Sequence, residues 1–376
     1  ELQPQVLPLF DPEMARPLED ELLKHGVGLH LGKRLEEIHV GDDGIANQVR
    51  LSDGTTLATN LVVLGIGVRP NTTLAENCGL QIGDGGGISI NAHLQTSDPD
   101  IYAVGDAVEY LYRPTGKPLK VALAGPANRA GRLAGQHAAT DNSDSVQAVV
   151  GTSIVRVFGV TAAMTGLTQS LTRRLGINSR HATIVAKHHA GYFPGAEALT
   201  LKLSYSPDDG RVLGAQVVGG DGCDKRIDVI ATAMHFSATV RDLSGLDLAY
   251  APPFGAAKDP VHMAAFVACN ELDEIESMLD ADAPLRDEVV LDVRTKTEVE
   301  RDPIAGTGTV IHIPVDELRD RIGELDPATP LVTCCGVGVR GHIASRILKQ
   351  AGYQVRNLSG GAMVRKRAWR SEHSSD

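Results

Sequence analysis

The sequence lacks any long apolar run. No window holds the ~18 uninterrupted apolar residues that a membrane-spanning helix needs, so no membrane association is expected. It also lacks an excess of basic charge. Thirty-six Lys and Arg stand against 47 Asp and Glu, a net charge of −11. That balance disfavours non-specific binding to nucleic acid or to anionic membrane. Cysteine is scarce: five residues, an odd number and widely scattered, do not form a disulfide framework. A reducing, cytoplasmic setting is the expectation. The opening residues have no basic start followed by an apolar run, the pattern of a secretion signal. What is present is ordinary for a globular chain: 376 residues, 42% hydrophobic and 22% charged. That length suits two or three domains. Forty glycines imply many tight turns.

The chain opens on Glu1 without an initiator Met. Asp11 reads as a helix N-cap and Pro12 as the first helical residue. Met14, Leu18 and Leu22 repeat at helical spacing, and Gly26 closes the helix. Pro17 falls inside it and predicts a kink. Apolar runs at 27–31, 38–40, 49–51 and 61–65 read as short strands, with turns at Gly44, Asp53 and Gly54. No Gly-x-Gly-x-x-Gly follows a strand in these residues. The pattern therefore reads as a chain that starts in mid-domain, the alternative being a complete small domain with an unusual start.

Residues 64–71 (LGIGVRPN) leave a strand through a turn at Gly67 and Pro70. Residues 96–106 (TSDPDIYAVGD) are more specific. A strand at 101–104 would deliver Gly105 and Asp106 to its carboxyl end, where α/β sheets hold ligands. Gly105 permits a close backbone approach, and Asp106 could accept hydrogen bonds from a polyol. A cap for the next helix is the alternative. Residues 151–270 alternate strands and helices. A strand pair is predicted at 199–203 and 212–218, and a helix capped by Asp224 carries Ile227, Ile230 and Met234. Tyr192 and Tyr250 sit among glycines and prolines, where a half-buried packing role is the commoner one.

Residues 271–285 are acidic and Ala-rich and read as a linker. Strands are then predicted at 289–293, 310–314, 331–333 and 355–358, with a helix at 343–351, a small parallel α/β sheet. The run Cys334-Cys335-Gly336-Val337-Gly338-Val339-Arg340 leaves a strand and enters that helix. Backbone N–H groups from 336 to 340 could cradle one sulfur, lowering its pKa and stabilising a thiolate. Arg340 would add a fixed positive charge. Alternate strand residues face opposite ways, so only Cys335 is expected to point into the cradle. Two buried cysteines in a glycine turn is the other reading.

These motifs carry two resemblances. Residues 1–270 resemble the second part of a flavin-dependent pyridine nucleotide-disulfide oxidoreductase. Residues 96–106 match its second FAD motif, which implies that Asp106, with Gly105, holds the ribitol. Residues 68–71 match the return from the NAD to the FAD domain, which brings in Gly67. Residues 122–129 (ALAGPANR) match the helix whose amino end faces the flavin, which implies roles for Ala124 and Gly125. Glu1 matches the acid that binds the adenosine ribose and favours NADH. Residues 189–195, 224–228, 248–254 and 257–260 resemble the coenzyme A-disulfide reductases. That resemblance implies a homodimer in which Tyr192 and Tyr250 reach the partner's active site to assist reduction of coenzyme A disulfide or persulfide. Phe193 departs from the Tyr often found there. The first FAD motif, the redox cysteine and the Gly-rich NAD loop of that family have no counterpart in the sequence, and Cys78, Cys223 and Cys269 read as structural thiols. The end of the chain resembles a rhodanese domain, on Asp292-Val-Arg294, Ile313-Pro314, the Cys-x-x-x-x-Arg loop and residues 358–361. This implies Cys335 as a persulfide carrier fed by small sulfur donors, with Cys334 replacing a residue usually aromatic or apolar.

The expected architecture is thus α/β: the remainder of an NAD-binding domain (1–66), the second part of an FAD-binding domain (67–145), an α+β dimerisation domain (146–270), a linker (271–285) and an α/β rhodanese-like domain (286–376). The expected function is FAD- and NAD(P)H-dependent reduction of a coenzyme A disulfide or persulfide, coupled to sulfur transfer. A sulfurtransferase alone and a non-catalytic dimerising remnant are the alternatives. No metal site is expected.

Overall fold

A computed structural model describes residues 1–304 and 306–373. Its contacts divide the chain into two units: one spans residues 33–153, the other residues 3–32 together with 154 onward.

In the first unit, Leu35–Val40, Ala46–Leu51 and Thr56–Ala58 form a three-stranded antiparallel sheet. A hairpin, Glu109–Tyr112 with Lys117–Lys120, and the helix Ala124–Thr140 follow. Two predicted strands are absent. The run 61–65 has no strand partner among the described residues, and Val63 and Ile66 are 83% and 87% exposed. Residues 101–104 make only an isolated bridge, Tyr102 to Gln95. An apolar run becomes a buried strand only when neighbours complete its hydrogen bonds and cover its faces, and these runs lack them.

In the second unit, the helix Pro12–Lys24 is continuous through Pro17. It buries Met14, Ala15 and Leu18 against Ala162, Met164 and Val218, at about 1.5–3 kcal/mol for each of the larger side chains. Asp11 precedes it but does not cap it with its side chain. Its carboxylate instead accepts the backbone N–H groups of Gln169 and Ser170 at the start of the helix Gln169–Leu175. The run at 27–31, predicted as a strand, is irregular because its edges find no partner.

A five-stranded sheet follows in the order Ser153–Val157, Val160–Gly166, Val212–Gly219, Ala198–Tyr205, Arg180–Lys187. The predicted pairing across 207–210 is present, with Leu203 opposite Ala215. The helix Cys223–His235 buries Ile227, Ile230 and Met234, but Gly222, at φ +79°, is its N-cap rather than Asp224. The helix Pro260–Leu272 has Asp259 as its N-cap.

The last segment is a parallel sheet ordered Met278–Leu279, Val355–Leu358, Leu331–Cys334, Leu285–Asp292, Thr307–His312. Residues 271–285, read from composition as a linker, supply its edge strand, with Leu279 opposite Leu358. Their acidic residues are used in packing: Asp280 accepts from Gln169 at 2.8 Å and Asp282 pairs with Arg173 at 2.5 Å. Alternation along the central strands divides the core. Leu291, Leu331 and Cys335 lie in one buried cluster, Val290, Val332 and Cys334 in the other.

Candidate active site

The strand Leu331–Cys334 ends directly before Cys335, and the helix Val339–Gln350 starts four residues later. Gly338, at φ +100°, makes the turn, a conformation costly for any side chain. The Gly338 N–H reaches the Cys335 sulfur at 3.1 Å. The final helix, Gly361–His373, pins the loop from the other side. Ala362 N–H donates to the Cys335 carbonyl at 2.8 Å and Met363 N–H to the Gly336 carbonyl at 3.1 Å. A Cβ at Gly361 would overlap the Cys335 carbonyl oxygen and lie 2.8 Å from the nitrogens of Val337 and Gly338. Sequence reading quoted residues 358–361 without this reason; the close approach makes glycine necessary there.

The two cysteines differ as strand alternation implies. Cys334 is fully buried, and its thiol pKa is pushed up, first by burial and then by Asp292. Cys335 is buried as well, but it meets the loop N–H and lies beside the Arg340 guanidinium. That guanidinium is also held by Glu298, through bonds of 2.6 and 2.7 Å. The Arg340 hydrogen bonds draw the Glu298 carboxyl well below the usual carboxylate range. Glu298 is the third residue of a capping box begun by Thr295, which fixes its direction. Reading the sequence missed Glu298, although Thr295-x-x-Glu298 carries the capping-box spacing. Asp292 and Arg294 form a buried pair behind the loop at 2.6 Å, and Arg294 also donates to the Asp302 carbonyl at 2.8 Å.

Tyr192 and Tyr250 come together. Their hydroxyls are 3.3 Å apart, and the two residues are 78% and 49% exposed. A packing role within this chain does not account for that exposure. The hydrogen bond with the Tyr250 hydroxyl, in which either oxygen can be the donor, raises the pKa of Tyr192. The two loops are fastened to each other by Ala190 N–H to the Gly255 carbonyl at 2.8 Å. Beneath them Arg226 is buried, paired with Asp259 at 2.7 Å and bonded to the His188 carbonyl at 2.6 Å. One guanidinium thus links the segments 224–228 and 257–260 to His188, the residue just before 189–195.

The residues expected to hold FAD are open. Gly105 has φ +82°, and its N–H donates to the Tyr110 hydroxyl at 2.9 Å. Asp106 follows it in a short 3-10 turn with its side chain exposed. The turn packs on the helix Ala124–Thr140, where a Cβ on Gly105 would touch Ala127 at 4.0 Å. That helix has no side-chain cap, and Ala124 and Gly125 are exposed at its amino end. A carboxylate beside uncapped helix N–H groups suits a polyol joined to an electron-rich ring, so the donor set fits FAD. Gly67, at φ +90°, is exposed with open space around it. Glu1 belongs to the other unit, where its carboxylate accepts the Gln3 N–H at 2.9 Å.

A second cluster escaped sequence reading because its members lie far apart in the chain. Lys202, buried in a strand, pairs with Asp11 at 2.9 Å and Glu13 at 2.5 Å. These carboxylates raise the pKa of Lys202 against the opposing effect of burial. The cluster ties the helix Pro12–Lys24 to the antiparallel sheet.

Comparison with known proteins gives three family profiles in succession. Residues 1–131 match pyridine nucleotide-disulphide oxidoreductase, 152–260 the dimerisation domain of that family, and 271–366 the rhodanese-like domain. A coenzyme A disulfide reductase of Staphylococcus aureus is 31% identical over 260 residues, 69% of this chain and 58% of the relative. The chain thus spans 58% of that relative's length. Among solved structures, the reduced CoADR-RHD of Bacillus anthracis is 38% identical with a TM-score of 0.91, covering 98% of this chain and 66% of that one. An NAD-dependent persulfide reductase from A. fulgidus is 36% identical with a TM-score of 0.86, covering 96% and 66%. With its dimerisation domain and a rhodanese-like domain matched in order, the chain belongs to the pyridine nucleotide-disulphide oxidoreductase family.

Proposed function

We propose that the protein containing this chain reduces a coenzyme A disulfide or persulfide with FAD and NAD(P)H, and that Cys335 carries sulfur as a persulfide. The observation that carries the second half is the Gly338 N–H on the Cys335 sulfur at 3.1 Å, with Arg340 beside it. A thiolate there meets a hydrogen-bond donor and a neighbouring cation. A thiolate attacks the outer sulfur of a donor such as thiosulfate, leaving sulfite and the Cys335 persulfide. An acceptor thiolate then takes that outer sulfur and returns Cys335 to the thiolate.

The names of the relatives support the reductase half, as do the paired tyrosines. FAD, when bound through Asp106 and the helix start at Ala124 and Gly125, would relay to the disulfide the two electrons that NAD(P)H supplies. Tyr192 and Tyr250 would each donate a hydrogen bond or proton to the departing thiolate, at the active site of the partner in a homodimer. In the full-length protein, replacing both tyrosines by Phe should lower turnover of coenzyme A disulfide by ~10²-fold or more. Unchanged kinetics would return both to a structural role.

A sulfurtransferase acting alone is the second reading. It is favoured by the contrast between a Cys335 loop that is bonded on every side and FAD-facing residues that are exposed. Thiocyanate formation from thiosulfate and cyanide tests it directly. Activity of this chain without flavin, lost in Cys335→Ser, supports transfer by the loop. Activity surviving in that variant overturns the assignment. Flavin retained in stoichiometric amount by this chain through gel filtration would count against the second reading.

A further inference from the structure

Each exposed tyrosine follows, by four residues, a carbonyl that a buried side chain holds. The His188 carbonyl, ahead of Tyr192, accepts from Arg226 Nη2 at 2.6 Å. The Leu246 carbonyl, ahead of Tyr250, accepts from His262 Nε2 at 2.7 Å. A carbonyl oxygen only accepts, so Nε2 carries the proton. Nδ1 is then free to accept, and it takes the Asp259 N–H at 3.2 Å. A neutral imidazole has one donor and one acceptor, and both are used here. Asp259 is the common anchor: its carboxylate accepts from Arg226 Nε at 3.2 Å, from Arg226 Nη2 at 2.7 Å and from the Val261 N–H at 3.1 Å. Lys225 adds a tie at the far end of the Tyr250 segment, donating to the Phe254 carbonyl at 3.4 Å. Arg226, Asp259 and His262 are all buried, so they act through the backbone they hold. Capping the helix Pro260–Leu272 needs only an acceptor at residue 262. The Nε2 bond goes beyond that need, to a carbonyl in another segment.

We propose that His262 and Arg226 are positioning residues for the tyrosine pair, each fixing the backbone ahead of one tyrosine so that the two hydroxyls meet at one departing thiolate. The inference rests on Tyr192 and Tyr250 assisting the reduction. Their hydroxyls stand 3.3 Å apart, close enough to serve one atom. A displacement of about an ångström in either can cost about 10²-fold in rate. Both tyrosines lie on irregular segments between glycines and prolines, where no helix or strand ladder sets their direction. The two side-chain bonds and the Ala190–Gly255 bond do that instead.

Three variants separate positioning from folding. His262→Glu keeps an acceptor for the Asp259 N–H, as in an ordinary capping box, but has no donor for the Leu246 carbonyl. His262→Gln supplies both. Arg226→Lys keeps a positive charge beside Asp259 but loses the planar fork that also reaches His188. The first readout needs neither flavin nor substrate. In this chain with carbon-13-labelled tyrosine, NMR follows each phenol through its titration, and Tyr192→Phe and Tyr250→Phe assign the two resonances. In the parent, the bond with Tyr250 holds the Tyr192 phenol above its ordinary 10. That shift should shrink in His262→Glu and Arg226→Lys and persist in His262→Gln. The second readout is turnover of coenzyme A disulfide by the full-length protein. There kcat should fall by roughly 10- to 100-fold in His262→Glu and Arg226→Lys, with KM changing less, and recover in His262→Gln. A Tyr192 titration unaltered in both His262→Glu and Arg226→Lys overturns the positioning role, and so does equal behaviour of His262→Glu and His262→Gln. An unchanged kcat in those variants overturns it too, provided that replacing both tyrosines by Phe slows turnover. Should the titration respond while that double replacement leaves turnover unchanged, the catalytic reading of the tyrosines fails and the positioning of the pair stands.

Discussion

Residues 285–373 and residues 33–153 both carry motifs that sequence reading singled out, yet the two regions hold them differently. In the first, four parallel strands are in place, and the Cys335 loop is held between the strand before it, the helix after it and the final helix. In the second, the apolar run 61–68 is exposed, and Asp106, Ala124, Gly125 and Gly67 all face outward. A motif specifies backbone conformation in both cases: Gly105 and Gly338 each adopt the positive φ that their turns require. What differs is the supply of neighbours. A loop becomes a site when other elements bond to its outer face, and a strand becomes buried when others flank it.

The sharpest way to break this comparison is to add the same methyl group to both regions. Gly361→Ala would press a Cβ onto the Cys335 carbonyl at a positive φ. It should lower the stability of that region by about 3 kcal/mol, combining overpacking with left-handed strain. Gly67→Ala meets open space and should cost only about 1 kcal/mol, the conformational part alone. Denaturant unfolding of both variants measures the gap. Equal losses would mean that the final helix does not pin the loop.

Alkylation sharpens the contrast at the level of single thiols. Cys78 is exposed and Cys334 is buried with a raised pKa. Near pH 8 iodoacetamide should modify Cys78 ~100-fold faster than Cys334, since thiolate fraction and access act together. Peptide mass spectrometry gives the two rates, and comparable rates would contradict a closed core behind the loop.

Glu298→Gln isolates the charge on Arg340. The amide still accepts one hydrogen bond but does not neutralise or orient the guanidinium through two. Sulfur transfer should fall by about tenfold, with KM for thiosulfate changing more than unfolding does. A stability loss without a kinetic change would assign Glu298 to structure only.

The smallest effect is a pH dependence. His342 bonds to Glu276 at 2.7 Å, and that hydrogen bond raises the imidazole pKa above its ordinary 6.5. A raised folded-state value means that this stabilisation is complete below about 6.5 and is lost as pH rises through the folded value. The imidazole is partly exposed, so solvent screening limits the contribution to a few tenths of a kcal/mol, roughly 0.5. His342→Gln should therefore lower the melting temperature more at pH 6 than at pH 9. A difference of opposite sign would contradict the pairing.

Much of the rhodanese-like region was legible because its signals are local. Alternation placed Cys334 and Cys335 on opposite faces, and residues 331–340 showed a strand, a turn and a helix in sequence order. The antiparallel pairing around 207–210 was legible for the same reason. Non-local features were not. Nothing near Asp11 indicates that it caps the helix Gln169–Leu175 while holding Lys202. Nothing near Arg226 indicates that its guanidinium joins Asp259 to the His188 carbonyl, just before the Tyr192 loop. The acidic composition of 271–285 concealed an edge strand because its charges are spent on Gln169 and Arg173. The runs 61–65 and 101–104 have strand-like sequences, but strand formation depends on partners that a local pattern does not contain.

The central claim is that one of two adjacent cysteines carries sulfur. Incubating the chain with thiosulfate and weighing the peptide that spans 334 and 335 tests it most directly. The parent chain and Cys334→Ser should each gain the mass of one sulfur, localised by fragmentation to Cys335, and Cys335→Ser should gain none. A persulfide on Cys334, formed in Cys335→Ser and absent from Cys334→Ser, would contradict the account.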